Sequence, residues 1–203
     1  MTTQKKNNLS VQYLARIAVL AALSTVLFLT LEIPIFGNIY KLDFSNIPVM
    51  LAGYSMGLVP AIITLAIKDV LHLLLNGIGS TAGVGDLADF IMTAAFITPA
   101  VLLYQRQKSR KTALVGMLLG TVTMALVALA VNAFIMFPFY MSAFHIDLTV
   151  VAGMLGADQS SGMLTLLLTT TLPFNLLKGV VICLLTYLIY KPLSPILHVK
   201  QTR

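Results

Sequence analysis

The stretch FSNIPVMLAGYSMGLVPAIITLAIKDVLHLLL, residues 44–75, decides how this chain folds. It is apolar almost throughout. At 32 residues it is too long for one crossing of a bilayer and short for two crossings of about 20 residues each. Gly53, Gly57 and Pro60 lie inside it, and glycine followed closely by proline punctuates a helix. A break near 57–60 divides the stretch into two short helices, 44–57 and 59–75. Clear apolar runs flank it at 14–36, 87–104, 113–139 and 162–190. The expected architecture is therefore an all-α integral membrane protein. It is a six-transmembrane-helix bundle forming a single membrane domain over 1–203, embedded in the lipid bilayer. Composition agrees: 58% of residues are apolar, 10% are charged, and the mean hydropathy is +0.93. A soluble domain carries roughly 25% charged residues, and a disordered chain is far less apolar.

Charge placement decides between five spans and six. Lys5, Lys6 and Arg16 lie at the N-terminal end. Arg106, Lys108, Arg110 and Lys111 follow the fourth run, and Lys191, Lys200 and Arg203 follow the last. Six spans bring all three basic segments to one side, which the positive-inside rule makes cytoplasmic, with both termini inside. The net charge of +6 is then an orientation signal and calls for no nucleic acid. Asp43, Asp86, Asp147 and Asp158 fall in or beside the expected outer loops. The first run follows two lysines without a small-residue cleavage pattern, so it reads as an uncleaved span. Cys183 is alone in the chain, which excludes an internal disulfide and a multi-cysteine metal site.

Polar residues inside spans are costly and mark candidate sites. Glu32, Lys68, Asp69, His72, Asp89, Asn132, Asn175 and Lys178 all map to the outer half of the expected bundle. The inner half reads as dry. A channel would need polar lining through both halves, whereas this pattern suits a cup opening outward. Two carboxamides (Asn132, Asn175) and the Lys178 ammonium can read a ligand edge that alternates carbonyl oxygens with ring nitrogens. Tyr40, Phe44, Phe134, Phe137, Phe139 and Tyr140 cluster near the mouth, either to stack on a flat ring or as an interfacial belt. Lys68 and Asp69 read either as a structural ion pair or, with His72, as the centre of a small intramembrane enzyme or scaffold. His72 and Glu32 equally suit a wetted boundary. No Walker-type loop, H-E-x-x-H or G-x-S-x-G occurs, so enzymatic chemistry and a metal site are unsupported.

Small residues recur at helical spacing: Ala15, Ala18 and Ala22 in the first run, then Gly53/Gly57 and Gly116/Gly120. Each suits close packing within the chain or against a partner. Together with the segments LDFSNIPVMLAGYSMGLVPA (42–61), KDVLHLLLNGIGSTAGVGDLADF (68–90) and Asn175-Leu-Leu-Lys178, these features carry a resemblance over nearly the whole chain. The sequence resembles the substrate-binding S components of energy-coupling-factor vitamin transporters, most closely the riboflavin-specific type. The resemblance implies a bacterial plasma-membrane protein that is not itself an enzyme and needs no cofactor. It would bind riboflavin in an outward cup and work with a transmembrane coupling subunit and two cytoplasmic ATPase subunits. It further implies that Asn132, Asn175 and Lys178 hydrogen-bond the isoalloxazine ring. Lys41, Leu42, Gly79 and Asp86 would add contacts from the cup and its lid (38–43 and 79–86). Ala18 and Ala22 correspond to the family's alanine motif facing the coupling subunit, and Ala15 can replace either. Another flat vitamin such as thiamine is the alternative ligand.

Overall fold

The computed structural model describes residues 11–37, 39–77 and 82–197, with side chains to Tyr190. Gly79 lies outside the described residues. Helix α1 covers Val11–Thr30. The apolar run continues to Phe36, but the helix does not. Pro34 lacks an amide hydrogen and its ring blocks a continuing helix, while Ile33 and Ile35 are β-branched. Residues Glu32–Phe36 (β1) and Tyr40–Asp43 (β2) instead form an antiparallel hairpin pairing Glu32 with Asp43, Ile33 with Leu42, Pro34 with Lys41 and Phe36 with Tyr40. The all-α expectation and the span to 36 are corrected accordingly. Gly37 turns the hairpin at φ 56°, and a Cβ there would come within 1.7 Å of the Met154 carbonyl oxygen. Only glycine lets the hairpin tip press against the helix that ends at Met154.

Two helices do occupy the deciding stretch. Helix α2 (Asn46–Met56) is 11 residues long, about 16 Å at 1.5 Å per residue, too short to cross a hydrocarbon core of about 30 Å. It is apolar around its whole circumference and is accordingly buried, with Val49, Met50 and Ala52 wholly inaccessible. Gly57, at φ 109°, makes the break and α3 (Leu58–Asn76) follows. Helix α4 (Val84–Arg106) leads to a capping box at Ser109/Thr112, which starts α5 (Arg110–Val131). A π-turn (Asn132–Met136) joins α5 to α6 (Phe137–Phe144). The short α7 (Leu148–Met154) then precedes α8 (Met163–Leu166), a second π-turn (Leu167–Thr171) and α9 (Leu172–Leu197).

Among the described residues, five helical stretches are long and apolar enough to cross a membrane: Val11–Thr30, Leu58–Asn76, Val84–Arg106, Arg110–Phe144 and Met163–Tyr190. Their outward sides carry exposed Leu and Val, as lipid contact allows. Glycines set the inner spacing. A Cβ on Gly120 would stand 2.2 Å from the Phe96 carbonyl oxygen, and one on Gly116 2.9 Å from that of Ala100, so α4 and α5 touch backbone to backbone. Gly53 makes room for the Val101 side chain and Gly179 for that of Thr121. These glycines therefore serve packing within the chain. Ala15, Ala18 and Ala22, by contrast, lie exposed on α1.

Candidate functional site

One end of the bundle opens into a cavity of about 260 Å³. It is framed by the last turns of α1 and α3, the first turns of α4 and α9, the π-turn after α5, and the hairpin. Its lining includes Asn132, Asn175 and Lys178, so the three expected polar residues share one cup. Lys41 and Asp86 line it too. Leu42 does not, being buried in the apolar cluster under the hairpin with Phe137 and Phe174.

A chain of buried charges forms one wall. Lys178 Nζ donates to Asp43 Oδ2 at 2.8 Å and to Asp89 Oδ1 at 3.3 Å. The other oxygen of Asp89 accepts from Lys68 Nζ at 2.5 Å. Lys68 also stands 2.7 Å from Asp69, an ion pair without hydrogen-bond alignment. Thr93 Oγ1 donates toward Asp89 Oδ2 at 3.4 Å, and Ser45 N–H to Asp43 Oδ1 at 3.0 Å. Asp89 thus bridges two lysines that the sequence separates by more than a hundred residues. Buried charges persist only when paired in this way. Lys68 is wholly inaccessible, so its pairing is structural and not that of an exposed catalytic group.

A second arrangement centres on Tyr40. Its hydroxyl donates to Asn132 Oδ1 at 2.8 Å and accepts from Thr171 Oγ1 at 2.6 Å. Burial pushes the phenol's pKa up, so the hydroxyl keeps its proton and its role as donor. Asn132 opens one π-turn and Thr171 closes the other, and such turns concentrate at functional sites because they redirect side chains out of helical phase. Each asparagine also donates back to its own helix, Asn132 Nδ2 to the Ala128 carbonyl at 2.8 Å and Asn175 Nδ2 to that of Thr171 at 2.9 Å. These bonds fix the carboxamide planes. The Tyr40 ring stacks on Phe174 with centroids 5.0 Å apart.

At the mouth, His72 Nδ1 meets Asp86 Oδ1 at 2.5 Å, tying the end of α3 to the start of α4. Phe28 stacks on His72 at 3.9 Å, and Lys68 Nζ lies 4.4 Å from the centroid of the Phe28 ring. Lys41 pairs with Glu32 across the hairpin at 2.6 Å. His72 and Glu32 therefore belong to the cup and are more than wetted boundary groups. Of the six aromatics expected at the mouth, Tyr40 and Tyr140 line the cavity. Phe134 is 81% exposed on the outside of the bundle, and Phe137 is buried behind the hairpin. Phe28 and Phe174 are lining aromatics that hydropathy alone does not single out. Asp43, expected only in an outer loop, is the principal addition, and Asp89, already marked as a costly polar residue, gains its place as the bridge between the two lysines. Among the described residues, no group of three or more His, Cys, Asp or Glu side chains could hold a metal ion.

Rigid amides, one shared ammonium and aromatic rings surround a space with the size and lining to hold a small ligand. Comparison with known proteins agrees. The riboflavin transporter RibU of Staphylococcus aureus (strain TCH60) is 30% identical over 182 residues, covering 89% of each chain. The riboflavin transporter FmnP of Bacillus subtilis (strain 168) is 31% identical over 189 residues, covering 92% of this chain and 94% of that one. A solved structure described as "Structure and mechanism of the S component of a bacterial ECF transporter" superposes with a TM-score of 0.71 at 28% identity, over 91% of this chain and 96% of that one. The family model "ECF transporter, substrate-specific component" matches residues 12–190, and this multi-pass membrane protein belongs to that family.

Proposed function

We propose that the chain captures riboflavin from outside the cell and delivers it inward with partner subunits that hydrolyse ATP. The observation that carries this reading is the convergence of Asn132, Asn175 and Lys178 on one cavity beside stacked aromatic rings. Lys178 gives two of its three donors to Asp43 and Asp89, leaving one for a ligand carbonyl. Among the described residues the Asn175 Oδ1 accepts no hydrogen bond, which suits a ring N–H. A site built to pair such groups rejects analogues that leave them unpaired more strongly than an apolar pocket rejects a change of size. Ligand chemistry ends with binding, and hydrolysis falls to a pair of cytoplasmic ATPases acting through a transmembrane coupling subunit. The exposed face of Ala15, Ala18 and Ala22 is smooth enough for that subunit to approach closely. In this topology α2, too short to cross alone, completes a sixth passage together with the hairpin strand that reaches Lys178 through Asp43, and both termini are cytoplasmic.

Purified protein should quench riboflavin fluorescence at micromolar concentration and carry a flavin absorbance band. Quenching of thiochrome-type thiamine probes with no response to riboflavin would transfer the assignment to another flat vitamin. Reporter fusions at either terminus should report the cytoplasm; opposite signals from the two ends would remove the sixth span.

A further inference from the structure

The end of the bundle opposite the cup gathers positive charge. Helix α4 starts at the cup with Asp86 and Asp89 and runs 23 residues, about 35 Å at 1.5 Å per residue, to Arg106. Only 107–109 separate it from α5, so Arg106, Lys108, Arg110 and Lys111 fall within one short turn. All four are exposed, and no carboxylate pairs with any of them among the described residues. The seven acidic residues lie at the cup, directly behind it, or in 147–158, whose Met154 meets the hairpin tip. The turn itself is held: Ser109 N–H donates to the Gln107 carbonyl at 2.8 Å, and Ser109 and Thr112 close the capping box. Because α4 and α5 touch backbone to backbone at Gly116 and Gly120, the cations of both helices stay crowded together. What lies under them decides what they meet. Leu114 and Leu118 follow Arg110 at four and eight residues, Val115 follows Lys111 at four, and Leu102 precedes Arg106 by four, so these three cations each top a helical face. All four apolar side chains are exposed on helices long and apolar enough to cross a membrane. The lipid-facing stripe and the charged turn are thus one continuous surface, apolar for acyl chains and cationic where headgroups begin.

We propose that this surface binds an anionic phospholipid, its phosphate held by the 106–111 turn and its acyl chains lying along the stripe beneath. Clustered Lys and Arg immediately beyond a membrane helix attract anionic headgroups, and each cation within a Debye length of the surface adds to the attraction. Arginine forks take two phosphate oxygens at once, and Arg106 and Arg110 stand on the two sides of the turn. A zwitterionic lipid offers the same phosphate but brings its own ammonium among four cations, so net charge does the selecting. An acidic face on a protein partner would match the cations but leave the stripe of Leu102, Leu114, Val115 and Leu118 unused in the bilayer. The site is independent of which molecule fills the cup.

The test adds phosphatidylglycerol and phosphatidylcholine of matched acyl chains, in equal amounts, to the full chain in detergent and measures the lipid retained after size exclusion. Phosphatidylglycerol should be enriched at least about fivefold, and the preference should fade as salt is raised to roughly 0.5 M. Arg110→Gln with Lys111→Gln should lower the enrichment by about threefold or more, and glutamine at all four positions should abolish it. Arg106→Lys with Arg110→Lys keeps the charge and should keep most of the enrichment. Lys5→Gln with Lys6→Gln removes the same charge from another segment and should change it by less than about twofold. No enrichment in the unaltered protein, or enrichment that survives the loss of all four cations, would overturn the proposal. So would a four-glutamine variant that retains lipid as before but no longer associates with its partner subunits, which would assign the turn to a protein. Should that variant not fold, Lys108→Glu alone, on the exposed link between the helices, must lower the enrichment by about fivefold or the proposal fails.

Discussion

Replacing Lys68 by methionine tests whether the buried charges act as one network. Lys68 has no exposed surface and lies 2.7 Å from Asp69 and 2.5 Å from Asp89. Methionine matches its length and apolar stem, so packing is nearly conserved and charge is what changes. Before substitution two lysines face three aspartates; afterwards Lys178 alone faces Asp43, Asp69 and Asp89. Breaking a buried pair by removing one partner costs about 3–5 kcal/mol, because the remaining charge is left uncompensated. At roughly 2–4 °C per kcal/mol for a chain of this size, the melting temperature should fall by about 6–20 °C. Adding Asp69→Asn restores the original charge balance, and the double variant should recover roughly half of the loss, a coupling within the 0.5–3 kcal/mol range of directly interacting residues. Thermal unfolding in detergent, followed by the loss of monodisperse protein on size exclusion, reads both. A lysine that merely extended its stem toward water would tolerate methionine without cost. A Lys68→Met melting point within about 1 °C of the parent, or a double variant no better than the single, would refute the network.

Asn175→Ala should weaken riboflavin binding by about thirtyfold or more, whereas Lys108→Ala, on the exposed segment between α4 and α5, should change it less than about twofold; equal losses would sink the site assignment. Tyr40→Phe keeps the stack on Phe174 but strips Asn132 Oδ1 and Thr171 Oγ1 of their shared partner. It should cost about 1–3 kcal/mol in stability by thermal unfolding and loosen flavin binding by quenching; an unchanged melting point and affinity would show that the hydroxyl is idle. Gly120→Ala drives a methyl to 2.2 Å from the Phe96 carbonyl and should destabilise by about 1–3 kcal/mol or more, while Gly162→Ala, which meets nothing within 4 Å, should be neutral. Similar melting points for the two would contradict the backbone contact between α4 and α5.

Composition alone makes this a membrane protein, and Gly57 is legible as a break because glycine between two apolar helices has little other purpose there. Asn132, Asn175 and Lys178 are legible as a group because each is an expensive residue at similar depth. Their partners are not. Asp89 and Lys178 are 89 residues apart and Tyr40 and Thr171 are 131 apart, and no local pattern encodes pairings across such distances. The π-turns are hidden for a different reason. Each accommodates an additional residue within a helical turn, so positions beyond it no longer follow the face predicted from positions before it. Helical-wheel arithmetic through 132–136 or 167–171 therefore fails where the proposed binding groups sit.

The hairpin and the hidden partners are one problem. Hydropathy carries the first helix through Phe36 because strand and helix bury the same side chains, even though Pro34 argues against it. As a helix, that segment would leave Tyr40 and Asp43 in an outer loop with no reason to descend into the bundle. As a hairpin pinned by Gly37 under Met154, it directs the Tyr40 hydroxyl to Asn132 and Thr171 and the Asp43 carboxylate to Lys178. One strand of four residues thus holds both π-turned rods through the very groups proposed to read the ligand. The hairpin and the groups proposed to read the ligand therefore meet at Tyr40 and Asp43, which is why the strand and the partners of the polar trio stay hidden from hydropathy together.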